Sequence, residues 1–298
     1  MCLNFQSSIK IEKKIIMVNY EKELADYGKN GFAVIDNFLT PEEVKMLMDE
    51  AKSLIDNLDL SEHRLCAIPG SPQQTTDYYF ASAGKANFFF EPKAFDGEGN
   101  LILPREKCVM KLGHGLHLGN KTFGSIGHTD RVRAIMKGIG YVEPAIVQGM
   151  LIFKHPRVGS EVTPHKDTEF LFSEPVDKVC ALWIALTDVV RENGCLEVIP
   201  GSHVDSAHRR YIRTDDETGS RAEFNGPVKE YEDSAFVPVL VPKGSCLVFD
   251  GKLVHRSKSN LSDKPRPAYV IHFTDEHETK WSPDCWLQLS KPFPRVNG

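Results

Sequence analysis

Hydrophobic positions follow two different rhythms along this chain. In "LTPEEVKMLMDEAKSLIDNLDL", Val44, Leu47, Met48, Ala51, Leu54 and Ile55 recur every three or four residues, which gathers them on one helical face. The segment carries its own start signal, with Thr40 as N-cap, Pro41 in the first turn and Glu43 placed to close a capping box. Val132, Ile135, Met136 and Ile139 in "HTDRVRAIMKGIG" predict a second amphipathic helix. Ahead of both, "YEKELADYGKNGFAVIDNFL" reads as a short helix, a glycine turn and a first strand around Phe32–Ile35.

From about residue 141 the rhythm shortens. "AIVQGMLIF", "EVTPHKDTEFLF", "KVCALWIALTDV", "GCLEVIP", "AFVPVLV", "SCLVFDG" and "PAYVIHFT" are short apolar or alternating runs divided by Gly, Pro, Asn and Asp. Runs at this spacing predict an antiparallel sandwich or barrel rather than βαβ units. Asn193-Gly194 and Pro200-Gly201-Ser202 read as turns that set strand register. The polar, arginine-rich stretch 201–233 reads as an excursion or lid over a site. The expected architecture is mainly β with flanking helices, one domain over 19–298 behind a flexible tail at 1–18.

Composition narrows the function classes. A net charge of -5 and a pI near 6.1 give no footprint for nucleic acid or an anionic membrane. No apolar run approaches the roughly 18 residues of a membrane span. The first twenty residues lack the continuous apolar core of a signal peptide, and Met17 is an alternative start. The seven cysteines (Cys2, Cys66, Cys108, Cys180, Cys195, Cys246, Cys285) are scattered without a CxxC, as expected of buried free thiols in a reducing compartment. A cytoplasmic location is expected, with a peroxisomal one disfavoured because the chain ends "RVNG" rather than in an SKL-type address.

Candidate chemistry centres on "EVTPHKDTEF". If that segment is a strand, His165 and Asp167 share a face. Alone, such a pair is weak evidence, because polar residues two apart also line wet strand faces. His255 in "FDGKLVHRSKSN" supplies a third donor far enough downstream to fold back beside the pair. Two imidazoles and a carboxylate on one face of a metal, with open positions opposite, is the arrangement of non-haem Fe(II) oxygenases. Arg266, past the turn "SNLSDKP", can reach back from a neighbouring strand. Its donor fork suits the distal carboxylate of 2-oxoglutarate, whose other end chelates iron, and Ser257 can add a hydroxyl. A zinc hydrolase would use the same three donors but has no need of Arg266. A binding protein that has lost turnover is a second rival.

At this combination the chain resembles the phytanoyl-CoA dioxygenase family, through "HKD", "RENGCLEVIPGSH" and "VHRSKSNLSDKPRPAY". The likeness runs from about residue 27 to "WSPDCWLQ". It implies a double-stranded β-helix (jelly-roll, cupin-like) core, Fe(II), 2-oxoglutarate and O2 as co-substrates, and ascorbate as an accessory reductant. The implied activity is hydroxylation of a fatty acyl-CoA or a related small molecule. Carried over by position, His165, Asp167 and His255 are the implied iron ligands, and Arg266 and Ser257 hold the 2-oxoglutarate carboxylate. Lys107, Met150 and Trp183 are further implied 2-oxoglutarate contacts, with Lys111 competing for the role of Lys107. Met150 and Trp183 are equally compatible with ordinary core. His203 is a candidate neighbour of the site, His114 and His117 are expected in a loop near its mouth, and His155 is expected to face solvent. If the substrate is an acyl-CoA, "HRRYIR" and Lys154–Arg157 are the basic segments available to its phosphates.

Overall fold

The structure is a computed structural model that describes residues 19–59, 77–96, 100–217 and 219–296. The expected tail, Met17, Cys2 and Cys66 lie outside the described residues. Fifteen strands follow in chain order: β1 Phe32–Ile35, β2 Ala86–Phe90, β3 Val109–His114, β4 Pro144–Ile152, β5 Val162–His165, β6 Ser173–Glu174, β7 Val179–Ala185 and β8 Leu196–Val198. The remainder are β9 Tyr211–Asp216, β10 Gly219–Phe224, β11 Val237–Val239, β12 Cys246–Asp250, β13 His255–Ser257, β14 Ala268–Asp275 and β15 Lys280–Trp281. A seven-stranded sheet runs β1-β12-β7-β14-β4-β3-β2, and a four-stranded sheet runs β11-β8-β13-β5, all pairs antiparallel. The two face each other as a jelly roll.

Both faces of the larger sheet are covered, which is why β7 and β14 read as continuous apolar runs rather than alternating ones. On the outer face, Leu182, Ile184, Val248, Tyr269 and Ile271 pack with Leu47, Ile55, Leu116, Phe123 and Ile135 of the helices. On the inner face, Trp183, Leu247, Phe249 and Val270 meet Leu196, Val198 and Val239 of the smaller sheet. A third cluster, with Tyr79, Phe89, Phe172, Tyr211 and Trp286, closes one end of the roll.

Eight helices are described: α1 Glu21–Leu24, α2 Tyr27–Asn30, α3 Pro41–Asp56, α4 Asp77–Ala81, α5 Arg105–Cys108, α6 Leu116–Gly119, α7 Lys121–Ile126 and α8 Asp130–Gly138. The predicted start of α3 is present in full. Thr40 Oγ1 accepts from the Glu43 amide at 3.2 Å, and the Thr40 amide donates to Glu43 Oε2 at 2.8 Å. Glu43 also takes both arms of Arg131 on α8 at 2.6 and 2.9 Å, so one carboxylate joins the cap to the neighbouring helix. Thr40→Ala is expected to cost about 1 kcal/mol. A urea melt would then show a lower midpoint with an unchanged slope.

The predicted turns are also present. Gly194 and Gly201 hold φ of +81° and +78°, which glycine adopts without strain. Stretch 201–233 is an excursion as expected, but it contains the β9–β10 hairpin that its polar composition hid. No helix among the described residues is long and apolar enough to cross a membrane. Cys108, Cys180, Cys195, Cys246 and Cys285 are buried free thiols.

Candidate metal centre

His165 ends β5 and His255 opens β13, and the two are direct cross-strand partners. Their ring centroids lie 4.3 Å apart. Asp167 is not on the strand with His165. It opens a 3-10 turn, Asp167–Glu169, that swings its carboxylate between the rings. Asp167 Oδ1 lies 3.6 Å from Nε2 of both histidines, and the three donor atoms lie within 4.8 Å of one another. The three residues expected to come together do so, although Asp167 reaches His165 through a 3-10 turn rather than along a shared strand.

Each imidazole is held in one tautomer. His165 Nδ1 donates to the Thr163 carbonyl at 2.8 Å, and His255 Nδ1 donates to the Leu253 carbonyl at 3.0 Å. Both Nε2 lone pairs therefore remain for a metal. Burial and the neighbouring His165 ring push His255 down to about 4. Burial acts the same way on His165, but the adjacent Asp167 outweighs it and raises the imidazole above its ordinary value. Burial alone would raise Asp167, yet the charges of the His255 and His272 imidazoles and hydrogen bonds from His165 and His272 hold it well below the carboxylate range. One carboxylate cannot keep all its neighbouring imidazoles charged, so Asp167 is ionised and His255 neutral. These are the protonation states a divalent metal needs.

The turn carrying Asp167 is braced on all sides. Its outer oxygen, Oδ2, lies 3.0 Å from His272 Nε2 on β14, an outer partner that the sequence did not reveal. Lys166, between the two ligands, is buried and donates to the Ser202 and Asp205 carbonyls at 2.8 and 2.6 Å. Glu169 is buried and takes Arg209 Nε at 2.6 Å. His272→Phe should weaken metal binding by about 10–100-fold, the usual effect of losing an outer partner. Competition against a chelator measures it.

Arg266 lies on the same interior. It is 2% exposed, packs 5.1 Å above the Trp183 ring, and reaches Ser257 Oγ from one terminal nitrogen at 3.5 Å. Its Nε and other terminal nitrogen are buried without a partner. Burial lowers it to about 10, and no carboxylate acts to raise it. Ser257 sits two positions from His255 and gives its own proton to the Gly194 carbonyl at 3.1 Å, so it accepts from Arg266. A buried cation with unused donors, joined through Ser257 to the strand of His255, has the chemistry to take an anion, and a dicarboxylate such as 2-oxoglutarate fits it. Trp183 and half-buried Met150 flank Val270 on the same inner face, so each is both core and wall.

Several expected positions differ. Lys107 is exposed on α5, because residues 105–108 are helical rather than extended. Lys111 faces inward, opposite Ile152, with Nζ 3.0 Å from His114 Nε2. His155 is buried, not solvent-facing. It donates to the Val109 carbonyl at 2.9 Å and stacks on Phe153. His203 is buried and donates to the Gly28 carbonyl at 3.1 Å. His114 ends β3, and His117 lies on α6. The basic segments are already engaged. Arg209 binds Glu169, Arg210 binds Asp177 and Arg213 binds Asp215. Lys154 is buried among backbone carbonyls, and Arg157 pairs with Asp263.

Comparison with known proteins finds relatives along nearly the whole chain. The zebrafish (Danio rerio) phytanoyl-CoA dioxygenase domain-containing protein 1 is 38% identical over 286 residues, covering 93% of this chain and 98% of its own. Its Caenorhabditis elegans homolog is 39% identical over 273 residues, covering 90% and 95%. Among solved structures, the non-heme alpha ketoglutarate dependent epimerase SnoN from nogalamycin biosynthesis superposes with a TM-score of 0.63 at 17% identity, over 93% of this chain and 98% of that one. The likeness to SnoN establishes the shared fold. The model of the phytanoyl-CoA dioxygenase (PhyH) family matches residues 27–268, and with these relatives it makes the chain a member of that family.

Proposed function

We propose that the protein is an Fe(II)- and 2-oxoglutarate-dependent dioxygenase that oxidises a small molecule. The observation that carries the reading is Arg266, a buried guanidinium with two unpartnered nitrogens that packs on Trp183 of the larger sheet and reaches Ser257, two positions from His255, on the smaller one. A hydrolytic zinc centre would need the three donors but would leave that charge without an anion. Ferrous iron with O2 and 2-oxoglutarate, when bound, supplies a two-electron oxidation with release of succinate and CO2.

The chain's own residues do the rest. Nε2 of His165 and of His255 and the ionised Asp167 would hold the metal from one side. Arg266 would take the distal carboxylate of 2-oxoglutarate, steadied by Ser257 and walled by Trp183 and Met150. Lys111 replaces Lys107 as the lysine contact in this reading, since it is the one on the inner face. Phe170, half-buried and edge-on to His165 at 5.9 Å, together with Phe224 and Tyr211, would shield the centre from water.

A fatty acyl-CoA would need cations for its phosphates. The arginines of 208–213 are committed to carboxylates, two of them to buried ones, so the reading favours a small substrate without a CoA moiety. The test is succinate formation by anaerobically prepared, Fe(II)-loaded protein given 2-oxoglutarate and air, with and without ascorbate. Slow uncoupled turnover supports the reading. Iron and 2-oxoglutarate binding without succinate, across a panel that includes acyl-CoAs, would favour a silent binding protein. Failure to bind 2-oxoglutarate overturns the reading.

A further inference from the structure

We propose that His114, oriented by Ser82, is a positioning residue that aims the Lys111 ammonium at the 2-oxoglutarate bound within the roll. The inference rests on the oxygenase reading above and adds to it a device outside the metal ligands and Arg266.

The direction of the hydrogen-bond chain follows from its far end. Ser82 is fully buried, and its hydroxyl donates to the Tyr79 carbonyl at 2.5 Å. Having given its one proton there, Ser82 Oγ can only accept from His114 Nδ1, 2.6 Å away. His114 Nε2 is then a lone pair, and Lys111 Nζ donates to it at 3.0 Å. The chain runs one way, from ammonium to imidazole to hydroxyl to carbonyl. With the opposite tautomer, an N–H would point at the ammonium and push it away.

The surroundings keep this histidine neutral and still. Its ring is caged by Trp286, Phe89 and Tyr79 at centroid distances of 4.9, 5.2 and 5.4 Å. Burial first, then the nearby Lys111 and His272, hold it well below the ordinary imidazole value. A neutral acceptor fixes where the ammonium sits without cancelling its charge. Among the described residues no carboxylate pairs with Lys111, which lies 5.2 Å above the Phe89 ring. Two of its N–H groups therefore stay available.

The register places Lys111 relative to Arg266. Lys111 is opposite Ile152, and Ile152 is opposite Ala268, two positions after Arg266. Gly113 faces Met150 so closely that an added Cβ would lie 3.3 Å from its Cγ, which brings β3 against the inner wall. Arg266 and Lys111 are thus two inward cations near one end of the sheet, neither matched by a carboxylate. A dianion such as 2-oxoglutarate answers both.

The test is a double-mutant cycle read as the Kd for 2-oxoglutarate, by calorimetry on the full chain loaded anaerobically with Fe(II). Ser82→Ala frees His114 to change tautomer and should raise that Kd about tenfold, the worth of one charge-assisted hydrogen bond, with metal affinity unchanged. His114→Phe should do the same, and His114→Gln, which can accept from Lys111 and donate to Ser82, should recover most of the loss. Combined with Lys111→Met, Ser82→Ala should add nothing further, because both act through one ammonium. A Ser82→Ala protein with wild-type Kd, or fully additive losses in the double variant, overturns the inference. Arg266→Met in the same assay separates the two readings. If it keeps 2-oxoglutarate affinity, the oxygenase reading itself fails. If it loses affinity while Ser82→Ala does not, only the role of His114 fails.

Discussion

Arg266→Met is expected to weaken 2-oxoglutarate binding by about 100-fold or more while making the ligand-free protein more stable. The two effects share one cause. In the free protein the guanidinium is 2% exposed, and two of its nitrogens have no partner. Burying a charge without a counter-ion is costly, and a well-packed apolar side chain of similar length removes that cost. The contact with the Trp183 ring is partly retained, since a methionine thioether also packs favourably on an aromatic face. Ser257 loses the donor that reaches it but keeps its bond to the Gly194 carbonyl, so no buried hydroxyl is stranded. The expected gain is about 1–3 kcal/mol, within the range seen when buried ionic groups are replaced. The loss of two charge-assisted bonds to a carboxylate should weaken 2-oxoglutarate binding by about 100-fold or more. Thermal melts with and without 2-oxoglutarate read both effects in one experiment. Wild type should gain midpoint on adding the ligand. The variant should start higher and not respond. A variant that starts lower would mean that Arg266 supports the fold through contacts beyond those seen here.

Such a balance, stability given up to hold a buried charge ready for a ligand, is common at functional positions. It also shows what could be read from the sequence and what could not. The larger sheet was legible because β7, β12 and β14 are buried on both faces and so appear as unbroken apolar runs. The cap of α3 was legible because its chemistry lies within four residues. By contrast, β3 carries an inward lysine and ends in three consecutive buried residues, so "VMKLGH" has no simple alternation. The helix at residues 105–108 then shifts which lysine faces inward, and Lys107 and Lys111 cannot be separated by counting. The β9–β10 hairpin was hidden for a related reason, since arginines in and just before it lie over aromatic rings. Arg209 sits 3.8 Å above Phe224, and Arg213 sits 4.7 Å above Phe80. A run of cations in a sequence shows charge, whereas its partners come from distant segments. His272 was missed on the same grounds, because only the fold brings its ring to Asp167.

Asp167→Ala is expected to remove turnover, with at least a thousandfold loss, and to leave the fold standing. The carboxylate does three things. In the proposed centre it is one of three metal donors, it supplies the negative charge beside the two imidazoles, and its outer oxygen accepts from His272. The alanine variant loses all three, and the buried His272 is left without an acceptor at an expected cost of about 1–3 kcal/mol. The turn itself does not depend on the side chain. Amides of Phe170 and Leu171 donate to the Asp167 carbonyl oxygen, and the braces at Lys166 and Glu169 are untouched. Asp167→Asn separates the roles. Its amide oxygen can still accept from His272, so stability should return to near wild type, while the loss of charge keeps metal affinity low. The acidity of the site supplies a second check. Asp167 raises the His165 pKa, so that imidazole must give up a proton before binding metal, and uptake by the wild type should strengthen as pH rises through the His165 transition. In Asp167→Ala that transition moves to lower pH, because the carboxylate holding the proton is gone. Metal titrations at several pH values, paired with urea melts, follow both. Full turnover in the alanine variant would remove Asp167 from the metal centre.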